Sequence, residues 1–313
     1  MSRKTYWMGT FLAIFGGVCW SITAVCGQYI FEESHFSALW YVMVRLFASG
    51  VIMMVIAAKV YGKGIFDIWK DKRDRIDLLI FGIVALMGVQ VTHFLAIQYC
   101  NAATATVIMY LSPVIVLAYV SLRNRQKPTL VELLGVALAV VGAFLLVTHG
   151  DFDSLTITGI AFFWSIVSAV LMAFYSIQPK ALLERWGSLL TNAWGMFLGG
   201  LALGFVNPPW KLGEGILNGM TILMMALVVI IGTVLGFFCY LKGMGIVGPK
   251  KASVYACSEL LFAAILGVFC LNIPFSAIDW LGSALIVITV VLLAMEPKKK
   301  EEEKVEGNAE EVA

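Results

Sequence analysis

Glu259 is the residue that most invites a chemical role. It stands within the apolar run Ala252–Leu271, where an ionisable side chain is expensive to keep. A carboxyl there could exchange a proton, contact a substrate amine or hold a basic partner. Low dielectric favours its neutral form and a neighbouring cation favours the carboxylate. Glu132 and Asp279 lie at the ends of their apolar runs instead. Arg45 falls near the middle of Phe36–Val60. A guanidinium at that depth costs at least ~2.5 kcal/mol on insertion scales, so it must face protein or water and be paired. It could be a structural clamp or could anchor an anion, and the structural role is favoured because its span is the second of its half. His93 titrates near neutral pH when unperturbed, but a lone His in a span more often donates to a neighbouring carbonyl, and that role is favoured. Trp20, Tyr110, Trp164, Tyr240 and Tyr255 fall at interior depths, whereas Trp and Tyr usually gather at membrane interfaces. Together they could wall a cavity with a few polar handles. Taken singly, each reads as packing.

Other chemistry is thin. The cysteines (Cys19, Cys26, Cys100, Cys239, Cys257, Cys270) show no C-x-x-C spacing, and inside apolar runs Cys behaves as a small hydrophobe. His35, His93 and His149 are too far apart in sequence to suggest a metal site. No metal and no cofactor is expected. Gly243-Met-Gly-Ile-Val-Gly248 spells G-x-G-x-x-G, but a dinucleotide fingerprint needs a preceding strand in a βαβ unit. These glycines are expected to form a tight turn. Gly195-x-x-x-Gly199, Gly200-x-x-x-Gly204 and Gly232-x-x-x-Gly236 permit close helix approach. Packing within the bundle is their expected use, and they could also support a homodimer.

The elements that must position these residues follow from composition. Of 313 residues 60% are hydrophobic and 13% charged, with a mean hydropathy of +0.90. Soluble proteins carry about 25% charged residues, so the natural solvent is a lipid bilayer. The net charge of +2 gives no electrostatic case for a nucleic-acid partner. About 20 apolar residues cross the hydrocarbon core as a helix. Runs of that length are Met8–Phe31, Phe36–Val60, Ile76–Tyr99, Ala102–Leu122, Leu130–Thr148, Ile157–Lys180, Ser188–Val206, Leu217–Leu241, Ala252–Leu271 and Phe275–Met295. The expected fold is an all-α membrane protein of ten transmembrane helices. One set of alternate loops and both ends takes 20 of the 22 basic residues, the exceptions being Lys211 and Arg45. That bias puts both termini in the cytoplasm, in a cell membrane. The run from Pro297 (PKKKEEEKVEGNAEEVA) is highly charged and is expected to be a disordered cytoplasmic tail.

The chain also resembles itself. At a shift of 150, Gly9 meets Gly159 and Gln28 meets Gln178. At 147, Ala105-Thr106-Val107 meets Ala252-Ser253-Val254 and Gly135 meets Gly282. Each half would hold five spans, an odd number, so the second copy enters the membrane upside down. Inverted repeats place a substrate site near the midplane between the halves. The expected organisation is a short N-terminus at 1–7, repeats at 8–149 and 157–296, and a tail at 297–313.

The 5+5 pattern, the short joint between spans three and four, Arg45 in span two and Ser258-Glu259 in span nine resemble the EamA family of the drug/metabolite transporter superfamily, over residues 8–295. That family often has Glu-Pro in span nine, whereas Leu260 follows Glu259 here. The matching pair in the first repeat is Ser112-Pro113, and the acid expected after span four is replaced by Arg123-Asn124-Arg125. The resemblance implies a secondary transporter of small organic metabolites such as amino acids, working outward by alternating access. The alternatives are an importer of the same superfamily, an intramembrane enzyme, for which clustered acids or ligands are missing, and a channel, for which no filter-like loop is found. No enzymatic activity is expected.

Overall fold

The computed structural model describes residues 3–99, 102–148, 150–151, 158–271 and 276–295, and among them the secondary structure is helical. Cys100, His149 and the charged run from Pro297 lie outside the described residues.

In the first half, α1 (Arg3–Glu32) is followed by α2 (Ala38–Tyr61), which Ser37 caps by accepting the Trp40 N–H at 3.3 Å. α3 (Lys72–Leu79), a π-helical stretch at Ile80–Met87 and α4 (Gly88–Tyr99) form one continuous helical run. α5 (Ala102–Met109) and α6 (Ser112–Arg123) are parted by two turn residues, and α7 is Leu130–Thr148. In the second half, α8 (Gly159–Ile177) leads to α9 (Lys180–Val206), which Gly187 kinks at φ 71°. α10 (Gly219–Leu227), a π-helical stretch at Val228–Leu235 and α11 (Gly236–Val247) again form one run. α12 (Pro249–Tyr255) and α13 (Ser258–Leu271) are parted by two turn residues, and α14 is Ala277–Met295.

Eight helices among the described residues are long and apolar enough to cross a membrane. The other two expected spans coincide with α12–α13, which is interrupted, and with α14, whose apolar part Ala277–Leu293 is shorter. The N-termini of corresponding helices are capped alike. Asp71 accepts the N–H groups of Arg73 and Asp74 at α3, and Asn218 accepts that of Thr221 at α10. Thr129 and Glu132 form a capping box at α7, and Ser276 and Asp279 form one at α14. Such reciprocal bonds satisfy helix N–H groups that have no intrahelical acceptor.

The packing that matters for the site is α2 on α9, α1 on α11 and α13, α4 on α8, and α7 on α14. α2 and α9 cross where Gly50 meets the backbone of Phe197 and Gly200 that of Phe47, so any Cβ at either glycine would overlap the facing backbone. Two such contacts in opposite order along the helices make them antiparallel. Gly195 and Gly199 accept the π-helical stretch at Phe81 and Gly82, while Gly232 and Gly236 accept α1 at Thr23 and Trp20. Gly195, Gly199, Gly200, Gly232 and Gly236 are thus filled within the chain, whereas a Cβ at Gly204 would meet nothing within 4 Å. Of the G-x-G-x-x-G run, Gly243 packs on α1 against Ala13, and Gly248, at φ 85°, makes the turn into α12.

Candidate functional site

The site is built on the two helix interruptions. Pro113 at the start of α6 has no N–H and its ring excludes the carbonyl four residues back, so α5 cannot run straight into α6. The turn closes through tighter bonds, Leu111 N–H to Ile108 O at 3.0 Å and Val114 N–H to Leu111 O at 3.0 Å. No proline stands at Ala256-Cys257. There Cys257 N–H reaches Val254 O at 3.0 Å and Glu259 N–H reaches Ala256 O at 2.9 Å. Ser258 donates to Ile14 O of α1 at 3.2 Å, and Gly17 leaves room for its hydroxyl.

Tyr110 is the first turn residue of one interruption, and Glu259 is in the first turn of the helix after the other. The Tyr110 hydroxyl donates to Glu259 Oε2 at 2.8 Å, across 149 positions of sequence. When Glu259 is ionised this is a charge-assisted hydrogen bond. Arg45 is on the buried face of α2 with its guanidinium 5.5 Å from the Tyr41 ring centre and 6.0 Å from that of Phe237. Its residue is 3% exposed and its Nε has no hydrogen-bond partner. No carboxylate lies within 4 Å of Arg45 among the described residues. His93 Nδ1 is likewise buried without a partner, and its ring lies 5.7 Å from Phe94.

An aromatic cluster adjoins Arg45 through Phe237. The Trp20 ring is 4.8 Å from Tyr240 and 5.0 Å from Phe237, and Tyr175 stacks on Tyr240 at 6.1 Å. The hydroxyls of Ser176 and Tyr240 are 3.1 Å apart. The structure thus pairs Tyr110 with Glu259 and Trp20 with Tyr240, and links Arg45 to Trp20 through Phe237. Tyr255 is fully buried at the last residue of α12, next to the interruption. Trp164 is half-buried on α8 with its ring 5.2 Å from Phe163; no ring contact joins it to Trp20 among the described residues. Tyr41, Tyr175, Ser176 and Phe237 escaped sequence reasoning. Lone aromatic and hydroxyl residues in apolar spans carry no spacing signal, and only the fold shows which of them meet. No three His, Cys, Asp or Glu side chains come together as a metal site among the described residues.

Beyond this cluster, at the end of the bundle that carries the basic loops, a vestibule of about 1430 Å³ opens between the two halves. Ile115 of α6, Ala173 of α8 and the α6–α7 and α11–α12 connections line it. Glu132 is held there by Lys250 at 3.0 Å.

The family model of EamA-like transporters matches this chain twice, over residues 7–148 and 159–295. The chain belongs to that family. It is 39% identical to the uncharacterized inner membrane transporter YicL of Salmonella typhimurium, over 93% of this chain and 97% of that one. It is 20% identical to the uncharacterized transporter YyaM of Bacillus subtilis, over 89% and 90%. A crystal structure of an unspecified protein superposes with a TM-score of 0.77 at 14% identity, covering 91% of this chain and 95% of that one, a likeness of fold. This EamA-family chain is therefore a multi-pass membrane protein with the role of a transporter.

Proposed function

We propose that the chain is a secondary active transporter that exports small organic metabolites, such as amino acids, from the cytoplasm by alternating access. The observation that carries this reading is the Tyr110–Glu259 bond, which ties the interrupted helix of one half to that of the other. A helix interruption frees backbone groups at membrane depth, which transporters tolerate where they line a cavity. In this reading the two halves are inverted repeats with both termini in the cytoplasm. The antiparallel crossing of α2 and α9, with Gly50 on Phe197 and Gly200 on Phe47, supports it, because each contact repeats when the halves are exchanged. The matching caps and π-helical stretches support it in the same way. The vestibule is then the cytoplasmic mouth, closed inward by the Ser176–Tyr240 contact and the Tyr110–Glu259 bond.

Glu259 can couple this motion to a proton gradient. As a carboxylate it holds Tyr110 and keeps the interruptions together; protonation weakens that bond and favours the state in which they part. A ligand or proton shifts such an equilibrium only through different affinity for the two states, and the presence or absence of Tyr110 supplies the difference. In proteoliposomes screened by counterflow with amino acids, nucleosides and drugs, substrate exchange is expected to saturate. Glu259→Gln is expected to keep exchange while losing the response to a pH gradient by tenfold or more. A normal pH response in that variant would remove the coupling role, and non-saturating flux would favour a channel. Reporter fusions after Lys63 and Arg125 are expected on the cytoplasmic side and one near Glu214 outside; an external signal at Arg125 would break the topology.

A further inference from the structure

We propose that the acidic C-terminal block of the chain, residues 301–313, docks in the basic vestibule and restrains its opening. Three observations meet here. The first is the charge of the vestibule. Arg123, Arg125, Lys127, Lys180, Lys250 and Lys251 line it against two acids, Glu132 and Glu184. Lys250 engages Glu132 at 3.0 Å, and Lys180 lies 4.0 Å from Glu184. No carboxylate is paired with Arg123, Arg125 or Lys127 among the described residues, and Arg123 donates only to the Tyr119 hydroxyl at 2.9 Å. Basic loops are general on a cytoplasmic face; their convergence on one cavity between the halves is particular to this fold.

The second observation is where the chain leaves the bundle. Lys251 Nζ and the Tyr6 hydroxyl both donate to the Leu293 carbonyl, at 3.0 and 3.1 Å, and both residues line the vestibule. The last turn of α14 is thereby fastened to the vestibule lining. The third is composition: residues 301–313 hold six Glu and one Lys. An extended chain spans at most about 3.3–3.6 Å per residue, so Glu301, six residues past Met295, already reaches about 20 Å from the helix end. The acidic block can therefore enter the cavity without help from another molecule. Filling the gap between the α6–α7 and α11–α12 connections bridges the two halves at the end that must change shape. The effect on flux rests on the transport reading above; the docking itself does not.

The test uses the chain ended at Lys300, in nanodiscs of zwitterionic lipid, with a fluorescein-labelled peptide of residues 301–313 as the probe. Fluorescence anisotropy is expected to show saturable binding in 50 mM NaCl, weakened at least tenfold in 500 mM NaCl, as exposed charges are screened. Combined R123Q, R125Q and K127Q is expected to weaken binding at least tenfold. A peptide with every Glu replaced by Gln, offered to the chain that keeps its native vestibule, is expected to lose binding equally, which covers the case in which the triple variant fails to fold. Absence of binding, equal binding to empty nanodiscs, or binding indifferent to both sets of substitutions would overturn the proposal. In flux assays at low salt the chain ended at Lys300 is expected to run several-fold faster than the intact chain, and unchanged flux with the peptide bound would overturn the restraint.

Discussion

The two interrupted helices, α5–α6 and α12–α13, have the same outline and different chemistry. Each is a short helix, two turn residues and a second helix that begins with serine, Ser112 in one and Ser258 in the other. In the first half the interruption is enforced by Pro113, and the residue that turns inward is the neutral Tyr110. In the second half no proline is present, and the residue after the serine is Glu259. The shape has been kept in both halves while the ionisable group has been placed in one. One half supplies the donor and the other the acceptor of a single bond, so the two interruptions act as one device.

The largest effects are expected where the halves are most alike. Gly50→Val and Gly200→Val each drive a side chain into the facing backbone of the α2–α9 crossing. Backbone there cannot yield cheaply, and overpacking of this severity exceeds the usual 1–3 kcal/mol. Both variants are expected to lose folded yield to the same degree in fluorescence-detected size-exclusion chromatography. A tolerated Gly200→Val beside a failed Gly50→Val would end the equivalence of the two helices.

Where the halves differ, a double-mutant cycle sharpens the contrast. Tyr110→Phe removes the hydrogen bond to Glu259, worth about 0.5–3 kcal/mol over the neutral and ionised forms of the acceptor. Tyr110→Phe and Glu259→Gln are expected to be non-additive in thermal stability, because they cut the same bond. Additive effects would mean that the two interruptions are not joined. Arg45→Ala gives up a guanidinium packed against Tyr41 and Phe237, where cation–π contacts are worth about 0.5–2 kcal/mol. It is expected to lower the melting temperature more than Arg45→Lys. An alanine variant as stable as the parent that no longer binds substrate would move Arg45 from support to recognition.

The smallest effect separates the two matching helix caps. The backbone N–H groups of Asp74 and Arg73 hold the exposed Asp71 carboxyl below its ordinary value of 3.8. A carboxyl with a lowered folded value contributes its stabilisation above that ordinary value and loses it as pH falls through the lower one. Asn218, which caps α10, does not titrate. Amide hydrogen exchange is therefore expected to rise at the start of α3 below about pH 4, over and above any change at α10. Asp71→Asn would abolish that difference, and equal acid loosening at both caps would contradict it.

Much of the architecture was legible in the chain itself. Apolar runs of bilayer length depend on solvent and local geometry, which a linear sequence encodes. Span four reads in the sequence as one run through Pro113, although that proline is a local reason for the break seen there; Glu259 and Arg45 were conspicuous because charge in an apolar run is costly. The second interruption was not legible, since nothing local to Ala256-Cys257 forbids a helix; it is held by contacts such as Ser258 to Ile14 of α1. The partner of Glu259 lay beyond sequence as well. Arg45 had been the natural candidate by charge, yet the nearest donor is a tyrosine 149 positions away. Trp20 and Trp164, both expected at interior depths, differ because the rings around Trp20 come from α11 while Trp164 packs on its own neighbour. Periodicity and charge decide which segments enter the membrane; which polar groups then meet is decided only when the antiparallel packing of the helices sets them face to face.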